Sequence, residues 1–374
     1  MSPSVLFTAA QIGSVTIPNR FVRSATHDFM AEEDGTVTDR NVALFTALAQ
    51  GEVGLIITGH AFVHPAGKAS PRQLGVHEDR MVAGLSRLPK AVHHFPSRIF
   101  LQLAHAGRQT KEKICGCTPL SPSAVYEPVY RVMPKAMTKE EIAATRDDFI
   151  QAGRRAREAG FDGVQLHVGH GYLLSSFISA YTNRRDDEYG GSVTNRARLV
   201  REILRGLKDQ YGSGFPVIAK LNSSDFISGG LSLEDSIEIA CLLEADGLDG
   251  VEVTGGMSEA GQGSVWKGLR PEEKEGYFVD SAARFKAALR IPVFGLGGFR
   301  TFRAMERAVE TGRVDLISLS RPLIRETDLV KEFRLGKIAK SACISCNKCF
   351  NPRGIRCGDL AVAARRKPAA EGGK

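Results

Sequence analysis

Short apolar runs rich in β-branched residues alternate along the chain with longer stretches whose apolar residues recur at helical spacing. Eight runs follow Asn19: Phe21–Thr26, Gly54–Val63, Arg98–Ala106, Gly163–His170, Pro216–Phe226, Gly250–Gly256, Pro292–Gly298 and Asp315–Leu323. Between them the pattern predicts helices, among them Asp39–Gln50, Val193–Gln210, Ser232–Ala245, Ser281–Leu289, Thr301–Thr311 and Thr327–Leu335. Because parallel neighbours need crossover connections, the alternation predicts a parallel sheet.

Eight strand–helix units in a chain of 374 residues fit a closed (β/α)8 barrel, a TIM barrel of the α/β class, over residues 1–336. A doubly wound open sheet is the alternative, since counting runs does not prove closure. One helix start is explicit: Thr138-Lys139-Glu140-Glu141 has the form of a capping box.

Polar residues share one parity in several of the runs, opposite to the apolar residues. They are Gln165 and His167; Lys220, Asn222 and Ser224; Glu252 and Thr254; and Ser318 and Ser320. In a closed barrel such residues point inward near the C-terminal ends of the strands. A buried polar group without a partner costs about 1–3 kcal/mol, so their convergence predicts a polar ligand there.

Composition and charge exclude several classes of function. The chain is 43% hydrophobic with a net charge of +8, but its Lys and Arg residues are scattered, which argues against nucleic-acid binding and suits anionic cofactors. No window approaches the ~18 apolar residues of a membrane span, and the N-terminus lacks a leader pattern. We therefore expect a cytoplasmic protein with no membrane partner.

The segment His167-Val-Gly-His170-Gly-Tyr172 places two imidazoles and a phenol within six residues at a predicted strand end. A lone histidine there would be a structural residue. Residues three apart on a straight strand face opposite ways, so both imidazoles meet one ligand only if the chain bends, which Gly169 and Gly171 permit. The pattern predicts two hydrogen-bond donors and a phenol around one substrate oxygen.

This segment resembles the fourth βα unit of the Old Yellow Enzyme family, the NADH:flavin oxidoreductases and ene-reductases. The resemblance covers nearly the whole barrel and rests on order and spacing. Its motifs are HxxHGY, then Asn183-Arg-Arg-Asp-Asp-Glu-Tyr-Gly-Gly-Ser192 and Asn195-Arg196, with Asn19-Arg-Phe-Val22, Gln102-Leu-Ala-His-Ala-Gly-Arg108 and Ser320-Arg-Pro-Leu323 elsewhere.

The resemblance implies FMN as cofactor, NADH or NADPH as reductant and a small unsaturated molecule as substrate. His167 and His170 would hold the carbonyl or nitro oxygen of that substrate, and Tyr172 would donate the proton. Gln102 would bond the flavin pyrimidine edge. Lys220 stands where the family usually has arginine, keeping the charge but not the bidentate fork; its simpler interpretation is an exposed strand end. A homodimer is the assembly that the resemblance suggests.

Two further regions complete the implied cofactor site. Gly297 and Gly298 after the seventh strand, with Ser320 and Arg321 after the eighth, lie where barrels often bind phosphate. Ser24, Ala25, Thr26 and His27 would follow the flavin edge near C4=O and N5. The family often has cysteine or threonine at the position of His27, and a histidine resembles the 2,4-dienoyl-CoA reductase branch; Thr26 is the other candidate for this position.

Four of seven cysteines crowd together after the barrel, at Cys343, Cys346, Cys349 and Cys357. Four thiolates suit [4Fe–4S] or zinc, and 2,4-dienoyl-CoA reductases and trimethylamine dehydrogenase carry an iron–sulfur cluster at this place. The spacing departs from those relatives, so [4Fe–4S], structural zinc and unligated thiols all stay open. We expect a Cys-rich extension over 337–360 and a disordered tail over 361–374.

The favoured function is reduction of activated C=C bonds by ping-pong hydride transfer. One rival is an iron–sulfur flavoprotein, a reductase or demethylating dehydrogenase. Another is a non-flavin barrel lyase or aldolase with Lys220 as nucleophile, which leaves Gln102, His167, His170 and Tyr172 unexplained.

Overall fold

Eight parallel strands close into a barrel in the computed structural model, which describes residues 4–261, 265–269 and 274–360. The strands are β1 Phe21–Arg23, β2 Leu55–Ile57, β3 Arg98–Ala104, β4 Gly163–Val168, β5 Val217–Asn222, β6 Val251–Thr254, β7 Val293–Gly295 and β8 Leu316–Leu319. Each pairs with the next, and β8 returns to β1 through Ile317 opposite Phe21. The closed barrel is confirmed, and the open doubly wound sheet is excluded.

Helices of the crossover connections surround the strands. They are α1 Asp39–Gln50, α2 Arg87–Val92, α3 Lys139–Glu158, α4 Arg198–Tyr211, α5 Leu233–Ala245, α6 Val279–Ala288, α7 Phe302–Glu310 and α8 Leu329–Arg334. Further short helices span Met81–Leu85, Glu112–Cys115, Leu173–Ile178, Val193–Arg196 and Arg321–Arg325. The predicted capping box at the start of α3 is confirmed, because Thr138 and Glu141 exchange side-chain and backbone hydrogen bonds.

Alternate side chains of a strand point to opposite faces of the barrel wall, as the sequence pattern predicts. Along β4, Val164, Leu166 and Val168 belong to the large apolar core between the strands and the helices. Gln165 and His167 face the barrel interior, where the side chain of Gln165 bonds a residue of β6. Alternation along one strand therefore separates structural packing from the functional interior.

The N-terminal mouth of the barrel is closed by an apolar plug. A hairpin of Ala10–Ile12 and Val15–Ile17 places Ile12 and Ile17 against residues inside the barrel. These are Val22, Leu55, Ile57, Phe100, Ile218, Phe294 and Leu316. Gly163 makes room for the ring of Phe100, since a Cβ there would lie 2.7 Å from Phe100 Cζ. Among the described residues, the interior at this end of the barrel is therefore packed as a hydrophobic cluster.

Residues 337–360 return over the opposite mouth. The Ser341 N–H donates to Arg300 O at 2.9 Å, and the Ile355 N–H donates to Asp28 O at 2.7 Å. The predicted tail, 361–374, lies outside the described residues. None of the helices described is both long and apolar enough to cross a membrane.

Candidate active site

A cavity of about 340 Å³ opens at the C-terminal mouth of the barrel. Twelve of the residues predicted for the site line it: Ser24, Ala25, Thr26, His27, Gln102, His167, His170, Tyr172, Lys220, Gly298, Ser320 and Arg321. They come from β1, β3, β4, β5, β7 and β8 or the loops that follow those strands. Barrel closure therefore brings together nearly the whole predicted constellation.

The bend that gathers the two histidines lies at His170 itself. His170 has a φ of +62° and Gly171 a φ of +83°, whereas Gly169 has no positive φ, so of the two glycines expected at the bend only Gly171 has a left-handed backbone. A left-handed non-glycine residue costs about 1–2 kcal/mol. Asn222 Oδ1 compensates by accepting the His170 N–H at 3.0 Å, and Thr254 Oγ1 lies 2.9 Å from His170 Nε2.

His167, His170 and Tyr172 surround one volume. The ring centroid of His167 lies 5.3 Å from that of His170 and 4.7 Å from that of Tyr172. His167 is 4% exposed, and its Nδ1 has no hydrogen-bond partner among the described residues. A buried polar atom without a partner points to a ligand atom that supplies one.

Burial controls the protonation of these groups. It lowers the pKa of His170 to about 3 and holds that of His167 well below its ordinary range, with neighbouring His170, His60 and Lys220 adding to the effect at His167. Burial also raises the pKa of the Tyr172 phenol. At neutral pH the cavity therefore presents neutral imidazoles and a protonated phenol, which are hydrogen-bond donors without net charge.

The floor of the cavity holds a buried ion pair. Lys220 Nζ lies 3.3 Å from Glu252 Oε2 and donates to Ser24 Oγ at 2.7 Å. Lys220 is 4% exposed and Glu252 is 0% exposed, so the interpretation of Lys220 as an exposed strand end was wrong. Gln165 links this pair to Gln102, because it donates to Glu252 at 2.9 Å and accepts from Gln102 at 2.7 Å.

Thr26 and His27 both line the cavity, so both candidates for the flavin-edge position are present. Thr26 Oγ1 lies 2.7 Å from Ser320 Oγ, which joins the first strand to the eighth. His27 Nε2 lies 2.5 Å from Ser70 Oγ. Burial lowers the pKa of His27 well below its ordinary value, and His60 adds to the shift.

His60 is a cavity residue that the sequence analysis missed. Its ring centroid lies 4.7 Å from that of His27 and 5.4 Å from that of Tyr172. Gln73 Oε1 accepts the Ala69 N–H at 2.6 Å, so Gln73 Nε2 is the donor to His60 Nδ1 at 2.6 Å. Nδ1 thus accepts, and the proton of neutral His60 resides on Nε2. Its place after the second strand was the available signal.

The structure places one of the two glycines predicted for the phosphate region at the cavity and the other behind it. Gly298 lines the cavity, whereas Gly297 does not and packs on residues 276–278, where its carbonyl accepts the Gly276 N–H at 2.6 Å. Arg321 Nη1 donates to Trp266 O and to Asn347 Oδ1, each at 2.7 Å. The arginine therefore ties the cavity wall to the extension.

The cysteine-containing extension contributes to the cavity through Phe350 rather than through a thiol. Cys343, Cys346, Cys349 and Cys357 are all free, and burial raises the pKa of Cys349 to about 11 and that of Cys343 in the same direction. Within the described ranges, no three His, Cys, Asp or Glu side chains are placed to hold a metal ion. As arranged, these residues do not fit an iron–sulfur cluster or zinc.

The lining does fit a flat cofactor with one polar edge and an anionic end. Polar groups of Ser24, Gln102 and Lys220 line the cavity and are linked by hydrogen bonds through Gln165 and Glu252, and Arg321 lines it as well. Apolar walls come from Met257, Leu296, Phe299, Leu319 and Pro322. A ring system with an amide-rich edge uses both kinds of surface.

Comparison with known proteins identifies the family. The model of the NADH:flavin oxidoreductase / NADH oxidase family matches residues 5–338. An NADH oxidase of Thermoanaerobacter brockii is 36% identical over 96% of this chain, which spans 56% of that protein. A 4,4'-dithiodibutanoate disulfide reductase of Rhodococcus erythropolis is 33% identical over 95% of each chain.

A solved structure extends this likeness to the whole fold. The Old Yellow Enzyme homologue of Zymomonas mobilis superposes with a TM-score of 0.79 at 26% identity, covering 96% of this chain and 98% of that one. The two chains therefore share the barrel fold over nearly all of the compared residues. The chain belongs to the NADH:flavin oxidoreductase / NADH oxidase family and is an oxidoreductase of the Old Yellow Enzyme type.

Proposed function

We propose that this enzyme reduces the C=C bond of small α,β-unsaturated carbonyl or nitro compounds with electrons from NADH or NADPH. One observation carries the proposal: His167, His170 and Tyr172 meet at one cavity as neutral donors. The fold by itself supports many reactions, so the proposal rests on these side chains.

The two imidazoles would bind the activating oxygen of the substrate. Hydrogen bonds to that oxygen withdraw electron density from the conjugated bond and stabilise the negative charge that develops on the oxygen during reduction. Thr254 Oγ1 lies beside His170 Nε2 at 2.9 Å and fixes the orientation of that ring. Donors held before the substrate arrives need no reorganisation during the reaction.

Tyr172 would protonate the α-carbon. Its phenol stays protonated because burial raises its pKa, and it stands beside the ring of His167 on the cavity wall. A positioned general acid contributes about 10²–10⁴-fold to a proton-transfer step. The phenol is thus placed to complete the addition of hydrogen across the double bond.

Gln102 and Lys220 would hold the pyrimidine edge of FMN, with Ser24, Ala25, Thr26 and His27 along its other edge. Gly298, Ser320 and Arg321 would approach the phosphate, and Gly297 would shape that loop from behind. Bound there, FMN supplies the hydride chemistry of both half-reactions. A shared cavity favours ping-pong order, because nicotinamide must leave before the acceptor can bind.

The test combines cofactor analysis with one matched pair of variants. Acid-released FMN is expected from the purified protein. Tyr172→Phe should slow re-oxidation of the reduced enzyme by 2-cyclohexenone about 100-fold, while reduction by NAD(P)H stays unchanged. Tyr126→Phe is the control, since Tyr126 is 47% exposed and does not line the cavity. A protein that binds no FMN, or a Tyr172→Phe variant as fast as wild type, contradicts the proposal.

Disulfide reduction is a second candidate, favoured by the Rhodococcus relative that matches this chain over 95% of both lengths. Two electrons and two protons convert one disulfide to two thiols, and Tyr172 could supply a proton here too. Offering 4,4'-dithiodibutanoate as acceptor in the same re-oxidation assay separates the candidates. A faster rate with the disulfide than with the enone would favour this function.

The iron–sulfur alternative has a direct test. Iron assayed on anaerobically purified protein should be absent if the four thiols are unligated. About four irons per chain would revive the electron-transfer flavoprotein.

A further inference from the structure

Glu252 is a fully buried carboxylate that the mechanism above leaves unused. It lies in β6 beneath the cavity and is 0% exposed. Its Oε2 lies 3.3 Å from Lys220 Nζ and accepts a hydrogen bond from Gln165 Nε2 at 2.9 Å. A buried charge is expensive to retain, so a paired carboxylate at this place needs an explanation.

The side-chain hydrogen bonds that connect Gln102 to Glu252 all donate toward Glu252. An ionised carboxylate can only accept, so the amide nitrogen of Gln165 must face it and the Gln165 oxygen must face away. That oxygen accepts from Gln102 Nε2 at 2.7 Å. The oxygen of the Gln102 side chain is therefore left to accept an N–H from a molecule in the cavity. Glu252 orients Gln102 through one intermediate residue.

Glu252 also determines the net charge on the cavity floor. Burial lowers the pKa of Lys220, and Glu252 opposes that shift. Burial alone would raise the pKa of Glu252, but Lys220 and the hydrogen bonds from Ser24, Gln165 and Ser318 together outweigh it, and the pKa falls. Both groups are thus charged and largely cancel each other. The other titratable groups facing Lys220 are Arg23 on β1 and the neutral imidazoles of His167 and His170.

We propose that Glu252 is a positioning residue that sets the reduction potential of bound FMN by offsetting the charge of Lys220 and orienting Gln102. The inference rests on the proposed binding of FMN above Lys220. A cation near the pyrimidine edge stabilises the anionic reduced flavin, and an adjacent anion weakens that effect. The ion pair keeps reduced FMN a stronger hydride donor than a lone lysine would.

The test measures midpoint potentials of the FMN-loaded protein from pH 6 to 9 by dye equilibration. Glu252→Gln should raise the potential at pH 6 by at least the equivalent of a tenfold change in the oxidised-to-reduced binding ratio, about 30 mV for two electrons. The increase should shrink as pH rises, because Lys220 without its counter-ion releases its proton more easily. Asp280→Asn removes the same charge from a side chain that is 93% exposed, and should leave the potential unchanged.

Two outcomes overturn different claims. A Glu252→Gln protein that holds FMN with the potential and pH slope of wild type overturns the inference. Wild-type protein that binds no FMN overturns the proposed function instead. If Glu252→Gln fails to fold, Glu252→Asp decides: its carboxylate recedes from Lys220, so the shift should have the same sign and a smaller size. An unchanged potential in Glu252→Asp would then overturn the inference.

Discussion

The two mouths of this barrel are built from the same strands and have opposite characters. The N-terminal mouth is sealed by Ile12 and Ile17 of the hairpin over a cluster made only of apolar side chains. The C-terminal mouth holds a cavity lined by four histidines, two tyrosines and Lys220, which forms a buried ion pair with Glu252. Along β5 alone, Ile218 serves the plug and Lys220 the cavity.

This difference separates stability from chemistry by position along each strand. Residues of the plug gain free energy by leaving water, whereas residues of the cavity pay a desolvation cost for polar groups that face a ligand. The comparison predicts that substitutions at the N-terminal mouth change the free energy of unfolding. Substitutions at the C-terminal mouth should change ligand binding and the dependence of stability on pH.

The largest effect is expected at the plug. Phe100→Ala removes a fully buried ring and leaves a cavity, which should cost about 3–5 kcal/mol of the free energy of unfolding. Thermal unfolding followed by circular dichroism would measure the loss. FMN affinity of the folded fraction should stay near that of wild type, and a loss of FMN affinity equal to the loss of stability would show that the two mouths are coupled.

An intermediate effect is expected from acid at the cavity. Burial lowers the folded-state pKa of His60 to about 4 and that of His170 to about 3, below the ordinary 6.5 of an unfolded chain. The unfolded chain then binds more protons, so this stability is present above pH 6.5 and is lost as pH falls toward the folded pKa values.

As pH falls from 6.5 to 5, the lowered pKa of each of these histidines should reduce the free energy of unfolding by about 2 kcal/mol. His60→Gln should therefore flatten the pH dependence of urea unfolding by about one proton. His93→Gln is the control, because His93 is partly exposed and bonded to Asp162. An equal flattening by both variants would place the acid response outside the cavity.

The smallest effect is expected at the extension. Phe350 lines the cavity but is 46% exposed, so Phe350→Ala should change KM for a bulky enone by no more than about threefold. Ile344→Ala is the matched variant, since Ile344 is 51% exposed in the same segment and does not line the cavity. Steady-state kinetics on both variants measures the difference. A tenfold change at Phe350 would make the extension a substrate-binding element.

Much of this site was predictable because it depends on local patterns. The parity of Gln165 and His167, the HxxHGY segment and the capping box at Thr138 are all legible within a few residues. His60 was not predicted, since its place after the second strand is a weak signal that does not distinguish a cavity histidine from a structural one. Its place beside Tyr172 follows from the pairing of β2 with β3 and of β3 with β4.

The sequence by itself determined the eight repeated units, the side of each strand that carries polar groups and the motifs of the family. Hydrophobic periodicity encodes these features because it reports burial one residue at a time. Only the tertiary structure decided that Glu252 pairs with Lys220, that His170 takes a left-handed backbone conformation beside Gly171, and that the extension reaches the cavity through Phe350. These outcomes depend on distances between strands far apart in the chain, which barrel closure sets and no local pattern records.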